Sequence, residues 1–252
     1  MFDKKKFLNE GYSVIKNVIK KELIYDFNKD IENILSLSKG DSTFDEKFIS
    51  YYKNFINRKK SYILMQDLQS VKMIASHINK FLNNQNIYEE LNFITPSIKN
   101  ALLISLPDET KYDNPFHQDI YNYHSNRFIK LWVPLTKVNN VNGSMELFKK
   151  SHELGFINPE YKKLSYYPEV NVEKLDKYES KIFDLEPGPI IIFNPLLIHR
   201  SVPNLSKKVR FTLGCDIQDV AGIPLKNDES SMIYKMEKIS KERKNRRQNL
   251  DY

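Results

Sequence analysis

Cysteine is nearly absent: the 252-residue chain carries a single one, Cys215. No intrachain disulfide can form, which excludes the disulfide-stapled secreted scaffolds and makes a reducing, cytoplasmic setting the expectation. Cys215 lies in the apolar run VRFTLGCDIQ, and no activating partner is identifiable for it. It reads as a small buried hydrophobe rather than a catalytic thiol. Long hydrophobic runs are missing as well. The most apolar, PIIIFNPLLI (Pro189 to Ile198), is interrupted by Asn194 and Pro195. It falls short of the roughly 20 residues a membrane helix needs, so no membrane partner is expected. The basic start MFDKKKFLNEG leads into no apolar signal-peptide core, and secretion by that route is not expected. Glycine is scarce at 7 residues, no Gly-, Ser- or Pro-rich linker divides the chain, and no repeat of fixed period is found.

What is present is material for a packed core: 40% of residues are hydrophobic and 12% aromatic, with 15 Tyr and 15 Phe. Disorder is thereby excluded for the bulk of the chain. The formal net charge of +7 invites a nucleic-acid reading, but its distribution argues otherwise. Between Lys235 and Tyr252, seven basic residues stand against three acidic ones, so a mixed-charge tail supplies +4 of the total. Such a segment is ordinarily a solvated helix or frayed end, and no zinc-finger or RNA-recognition signature accompanies it. A basic surface instead favours an anionic small molecule as partner through steering.

The texture changes along the chain. YSVIKNV alternates as a strand does, and Lys20 to Leu37 places Leu23, Ile24, Phe27, Ile31, Ile34 and Leu35 at helical spacing. A further helix is expected over Ser61 to Leu82, preceded by one carrying Phe48, Tyr51, Tyr52 and Phe55. After Asn100 come short apolar runs, ALLISLP, FIKLWVPL, SMELF, KIFDL, PIIIF and VRFTLGCDI, set apart by Pro, Gly, Asn and Asp. The expectation is one domain spanning 1–252. It comprises a mostly helical support region (1–98), a β core (99–218) and a polar, basic tail (219–252), the helices packing on one sheet.

Two segments carry chemistry. In NPFHQDIY, His117 and Asp119 stand two apart at the end of a strand, and a period of two puts both side chains on one face. Eighty residues after Asp119, NPLLIHRSVPN supplies His199 directly after an apolar strand. Two imidazoles and one carboxylate make a facial triad, which occupies three corners of an octahedral Fe(II) and leaves three open for a bidentate cosubstrate and O2. Arg210 follows across the turn-like PNLSKK, and a hairpin would lay it on the neighbouring strand, facing the same interior. Its guanidinium suits a dicarboxylate such as 2-oxoglutarate.

With these residues in view, the chain resembles the phytanoyl-CoA dioxygenase family of Fe(II)/2-oxoglutarate oxygenases. FLNEGYSVIKNVIKKELI is similar to that family's opening strand and helix, FHQD to its first metal pair, and LWVPLTKVNNVNGSMELFKKSHELG to its central block. IIFNPLLIHRSVPNLSKKVRFTL resembles its closing block. The resemblance implies a double-stranded β-helix (jelly-roll, cupin-like) core in a mainly β, α+β chain. It implies His117, Asp119 and His199 as iron ligands, Arg210 as partner of the far carboxylate of 2-oxoglutarate, and Gln118, Trp132 and Ser201 lining the cosubstrate pocket. Lys149 and Lys150 stand where the family usually has Pro-Gly, which leaves the geometry of that turn open. His152 in the same block, His77 on a helix and His124 in a polar loop read as structural or surface histidines, with His124, Tyr121 and Tyr123 as alternative neighbours of a substrate pocket.

The implied reaction consumes 2-oxoglutarate and O2, gives succinate and CO2, and hydroxylates a small molecule. Retention of Asp119 favours hydroxylation over halogenation, with desaturation and ring formation left open as alternatives. The rivals are a cupin-like isomerase or hydrolase holding Zn(II) or Mn(II), which would have no use for Arg210, and a silent barrel used for binding or regulation. A monomer or homodimer is expected.

Overall fold

The computed structural model describes residues 1–36, 43–54, 65–107, 114–120, 123–160, 168–173, 175–222, 238–239, 241–242 and 244–245. Among the described residues, eight strands form two antiparallel sheets: β1 (Tyr12–Ile15), β2 (Pro96–Ser105), β3 (Phe128–Pro134), β4 (Met145–Phe148), β5 (Ser180–Ile182), β6 (Ile190–Phe193), β7 (His199–Ser201) and β8 (Arg210–Asp219). The larger sheet runs β1-β6-β3-β8-β2 and the smaller β5-β4-β7. Facing sheets of this kind make the expected double-stranded β-helix.

Alternation along the large sheet decides which residues meet which layer. Ile15, Leu102, Ile129, Leu131, Val133, Ile190, Ile192, Phe211, Leu213, Cys215 and Ile217 point to one side. Against them pack Phe27 and Ile31 of α2 (Lys21–Ser36), Phe48 of α3 (Phe44–Asn54) and Val71, Ile74, Ile78 and Leu82 of α4 (Gln69–Asn84). Phe211 is the keystone: Phe27 meets its ring edge-on at 5.4 Å and Phe48 at 5.0 Å. Burying each such side chain fully contributes about 1.5–3 kcal/mol, so this layer is the main support of the sheet. Cys215 is wholly buried in it, and burial pushes its thiol up to about 12, which suits an inert packing residue. The opposite side of the sheet faces the barrel interior, where Tyr12, Trp132, Met145, Leu147, Ile191, Phe193 and Leu197 cluster.

The N-terminal region does more than support. Its strand β1 pairs with β6 from Tyr12↔Phe193 to Ile15↔Ile190, so the barrel takes an edge strand from the first fifteen residues. It is delivered by α1 (Lys4–Glu10), capped by Asp3, whose carboxylate accepts the Lys6 N–H at 2.8 Å. Gly11 ends α1 in the left-handed region at φ 84°, and a Cβ there would stand 2.5 Å from Leu197 and 2.6 Å from His152. Of the expected helix over 61–82, residues 61–64 lie outside the described residues, 65–68 precede α4, and 69–82 lie within it; Phe55 and most of the basic tail also lie outside. Of that tail, Ile239 packs on Ile120 and Tyr123.

The Lys149-Lys150 departure leaves the turn intact. Lys150 itself takes the left-handed conformation (φ 65°, ψ −1°) before a 3-10 turn, Ser151–Leu154. A residue with a Cβ pays about 1–2 kcal/mol for this, offset here by anchoring. The Lys150 N–H donates to Glu10 O, and the Ser151 hydroxyl donates to Phe148 O and accepts the Ile198 N–H.

Candidate metal centre

His117 lies in a short bridge rather than in a regular strand. Its N–H donates to His199 O at 2.9 Å and the His199 N–H returns to His117 O at 3.0 Å. The Asp119 N–H reaches Pro195 O at 2.8 Å, so segment 115–119 runs antiparallel to 195–199. The two candidate halves of the triad, eighty residues apart, are thus bound by main chain. Strand alternation then turns His117 and Asp119 to the same side. His199 opens β7, which pairs with β4, rather than trailing an apolar strand, and Ser201, two residues on, shares its face.

The three side chains are 2%, 4% and 6% exposed for His117, Asp119 and His199, and one ligand atom from each lies within 4.8 Å of the others. His117 Nε2 is 3.5 Å from Asp119 Oδ1, His199 Nε2 is 3.2 Å from Asp119 Oδ2, and the imidazole centroids are 4.2 Å apart. Each Nδ1 faces a main-chain carbonyl, His117 that of Pro115 at 2.6 Å and His199 that of Leu197 at 2.9 Å. A carbonyl only accepts, so each Nδ1 carries a proton, and Nε2 is the nitrogen each ring turns toward the carboxylate. Burial, reinforced by the neighbouring His199, pulls His117 down to about 4, so it is neutral near pH 7. A cation placed among the three side chains would meet one ligand atom from each. The donor set, two nitrogens and one oxygen with Nδ1 fixed by carbonyls, therefore fits a divalent transition metal.

Asp119 is also held by Lys130, whose ammonium is 3.2 Å from Oδ2. Burial alone would raise the Asp119 carboxyl, but Lys130, His199 and the two imidazole contacts hold it well below the usual carboxylate range. Lys130 in turn pairs with Asp216 at 2.5 Å, and the Tyr123 hydroxyl reaches Asp216 at 3.1 Å. Neither Lys130 nor Asp216 is among the residues expected from the sequence. The available signal is parity: Lys130 shares a strand face with Trp132, and Asp216 with Arg210.

Arg210 is 4% exposed at the start of β8, where its Nη1 donates to Thr212 Oγ1 at 2.8 Å. Its route there differs from the expected hairpin. β7 belongs to the small sheet and β8 to the large one, so residues 202–209 cross between sheets instead of turning within one. Gly143, at φ 90°, approaches so closely that a Cβ would lie 3.3 Å from both Arg210 Nε and Ser105 Oγ. Trp132 is 6% exposed on the inward face of β3, among the apolar residues between the sheets.

Gln118 is bound on the side away from the triad. It alternates away from His117 and Asp119, and its amide donates to Gly155 O at 2.8 Å and Leu196 O at 2.7 Å while its oxygen accepts the Ile157 N–H at 3.0 Å. These contacts tie residues 155–157 and 196 to the segment that carries His117 and Asp119. Gln118→Ala leaves three main-chain groups unpaired at about 1–3 kcal/mol each before water repairs some of them, so a clear drop in denaturant midpoint is expected. Unchanged stability of this variant in urea would contradict the role. The remaining histidines are accounted for as expected: His77 bonds Val18 O, His152 bonds Leu8 O, and His124 is exposed. Tyr123 is buried, and Tyr121 lies outside the described residues.

Two imidazoles and a carboxylate gathered between the sheets of a double-stranded β-helix define a non-haem iron dioxygenase of the 2-oxoglutarate-dependent class. The family model of phytanoyl-CoA dioxygenase (PhyH) matches residues 7–212, and the chain belongs to that family. It is similar to the peroxisomal phytanoyl-CoA dioxygenase of Bos taurus, 24% identical over 86% of this chain and 68% of the relative. It is also similar to 1-deoxypentalenic acid 11-beta-hydroxylase of Streptomyces arenae, 22% identical over 78% of this chain and 72% of the relative. Among solved structures, EvdO2 of Micromonospora carbonacea var. aurantiaca, complexed with 2-oxoglutarate, superposes with a TM-score of 0.58 at 13% identity, covering 91% of this chain and 96% of that one. Among the described residues, no helix is long and apolar enough to cross a membrane.

Proposed function

We propose that this chain, acting as one domain, hydroxylates an unactivated C–H bond of a small metabolite. The reaction is RH + O2 + 2-oxoglutarate → ROH + succinate + CO2. In it His117, Asp119 and His199 hold the iron, and Arg210 with Ser201 holds the far carboxylate of 2-oxoglutarate. Iron bound there supplies the activation of O2 against the oxoacid. The chain's own work is to place donors and exclude water. The Pro115 and Leu197 carbonyls engage both Nδ1 atoms, which makes Nε2 the ligating atom of each ring. Arg210 brings a buried guanidinium, steadied by Thr212, to the inward face that Ser201 shares from the opposite sheet. Trp132, Phe193 and Leu147 give the interior apolar walls, which strengthen charge interactions inside it. The net charge of +7 favours an anionic substrate.

The observation that carries this reading is the convergence of two imidazoles, each anchored through Nδ1, on one buried carboxylate. It is tested by anaerobic titration of the protein with Fe(II) and 2-oxoglutarate, where a weak visible charge-transfer band is expected. Admission of O2 then yields succinate even without substrate. Absence of both band and succinate would overturn the proposal.

A further inference from the structure

We infer that Lys130 is a positioning residue of this centre: its ammonium fixes the orientation of the Asp119 carboxylate, and Asp216 holds Lys130 in place. The inference rests on the metal-centre reading above and adds to it a support that the three ligands do not themselves supply.

β3 is otherwise apolar on both faces, yet it places a lysine, only 15% exposed at the side chain, on its inward side. An ammonium taken out of water in that setting is costly unless it is paired. It is paired twice, with Asp119 Oδ2 at 3.2 Å and Asp216 Oδ1 at 2.5 Å. Lys130 and Asp216 are register partners on β3 and β8, so main-chain pairing of the large sheet sets their approach. Tyr123 completes the chain by placing its hydroxyl 3.1 Å from the same Asp216 oxygen.

The charges explain why two carboxylates are needed. With Lys130 on Asp119 alone, the ammonium would cancel the charge that a metal needs. Asp216 shares the ammonium, so Asp119, Asp216 and Lys130 together keep one net negative charge to meet a cation. An Asp119 carboxylate free to rotate could also present both oxygens to a metal and occupy a position that the cosubstrate requires. A fixed one offers the geometry that the imidazoles already approach from 3.5 and 3.2 Å.

The sign of one measurement separates this role from a bystander charge. Lys130 has the same sign as the incoming metal, so deleting a mere bystander would tighten metal binding, whereas deleting an orienting group loosens it. The probe is Co(II), titrated anaerobically into the full-length protein, with its visible ligand-field spectrum read alongside the affinity. Lys130→Met is expected to weaken Co(II) binding by about 10- to 100-fold, the usual effect of removing a partner of a metal ligand, and to alter the spectrum. Lys130→Arg is expected to restore most of the affinity and the wild-type spectrum.

Asp216→Asn should weaken Co(II) in the wild-type background and have little further effect in Lys130→Met, because it acts through Lys130. Unchanged or tighter Co(II) binding by Lys130→Met would overturn the inference, as would an Asp216→Asn effect of equal size in both backgrounds. If Lys130→Met melts without a folded baseline, Lys130→Gln and Asp216→Asn decide on the same criterion. A wild-type protein that binds neither Co(II) nor Fe(II) overturns the metal-centre reading, and the Lys130 role with it. Binding by wild type with indifferent Lys130 variants overturns the Lys130 role alone.

Discussion

His199→Ala is expected to abolish the Fe(II)·2-oxoglutarate band and succinate formation while leaving the fold in place. The two parts of this expectation have separate causes. The backbone of residue 199 makes the reciprocal bridge to His117, at 2.9 and 3.0 Å, and an alanine keeps both hydrogen bonds. The β4–β7 pairing through Leu147↔His199 is likewise main chain. What is lost is the imidazole, which stands 4.8 Å from the Phe193 ring and 4.2 Å from that of His117, and with it one of three metal donors. Loss of a group that merely supports a ligand costs about 10–100-fold in metal affinity, and loss of the ligand itself exceeds that. Circular dichroism should match wild type. Titration with Fe(II) and 2-oxoglutarate should give no band at concentrations that saturate the parent protein. Retention of the full band would remove His199 from the metal centre.

The same residues show why part of the site is legible in sequence and part is not. His117, Asp119, His199 and Arg210 are polar groups of distinctive chemistry at the ends of apolar runs, next to prolines and asparagines that end strands, so their pattern survives without knowledge of the fold. Lys130 and Asp216 sit inside strands. Both faces of the large sheet are covered, one by α2, α3 and α4 and the other by the small sheet, so alternation divides residues into two sets without saying which set faces the metal. Only tertiary packing does that. Once Ile129, Leu131, Phe211 and Cys215 are seen against the helices, Lys130, Trp132, Arg210, Thr212 and Asp216 fall inward together. Arg210 reaches the inward face of β8 by a path other than the expected hairpin, because the eight residues from 202 to 209 read equally well as a hairpin loop or as a crossing between sheets. Gln118 is the contrasting case. Adjacency to two ligands suggests a place in the pocket, but a period of two turns it away, onto Gly155, Ile157 and Leu196.

Arg210→Ala should leave metal binding intact and weaken 2-oxoglutarate, and the contrast between long and short oxoacids isolates the reason. Arg210 is not a ligand, and the contacts of the triad come from other elements, so Co(II) affinity should be close to wild type. Its side chain is almost fully buried and steadied by Thr212, with the Gly143 turn packed against it. A charge-assisted hydrogen bond from such a group contributes about 1.5–3 kcal/mol. That corresponds to a loss on the order of 10- to 100-fold in 2-oxoglutarate affinity. Arg210→Lys should recover little of it, because one compact ammonium cannot reproduce the planar fork that meets a carboxylate with two parallel bonds. The decisive control is 2-oxobutyrate, which keeps the oxoacid end and has no far carboxylate. Its affinity, weak from the outset, should be the same in wild type and Arg210→Ala. A parallel loss for both oxoacids would mean that Arg210 acts by shaping the barrel rather than by holding a carboxylate. Full 2-oxoglutarate affinity in Arg210→Ala would assign that carboxylate to another cation.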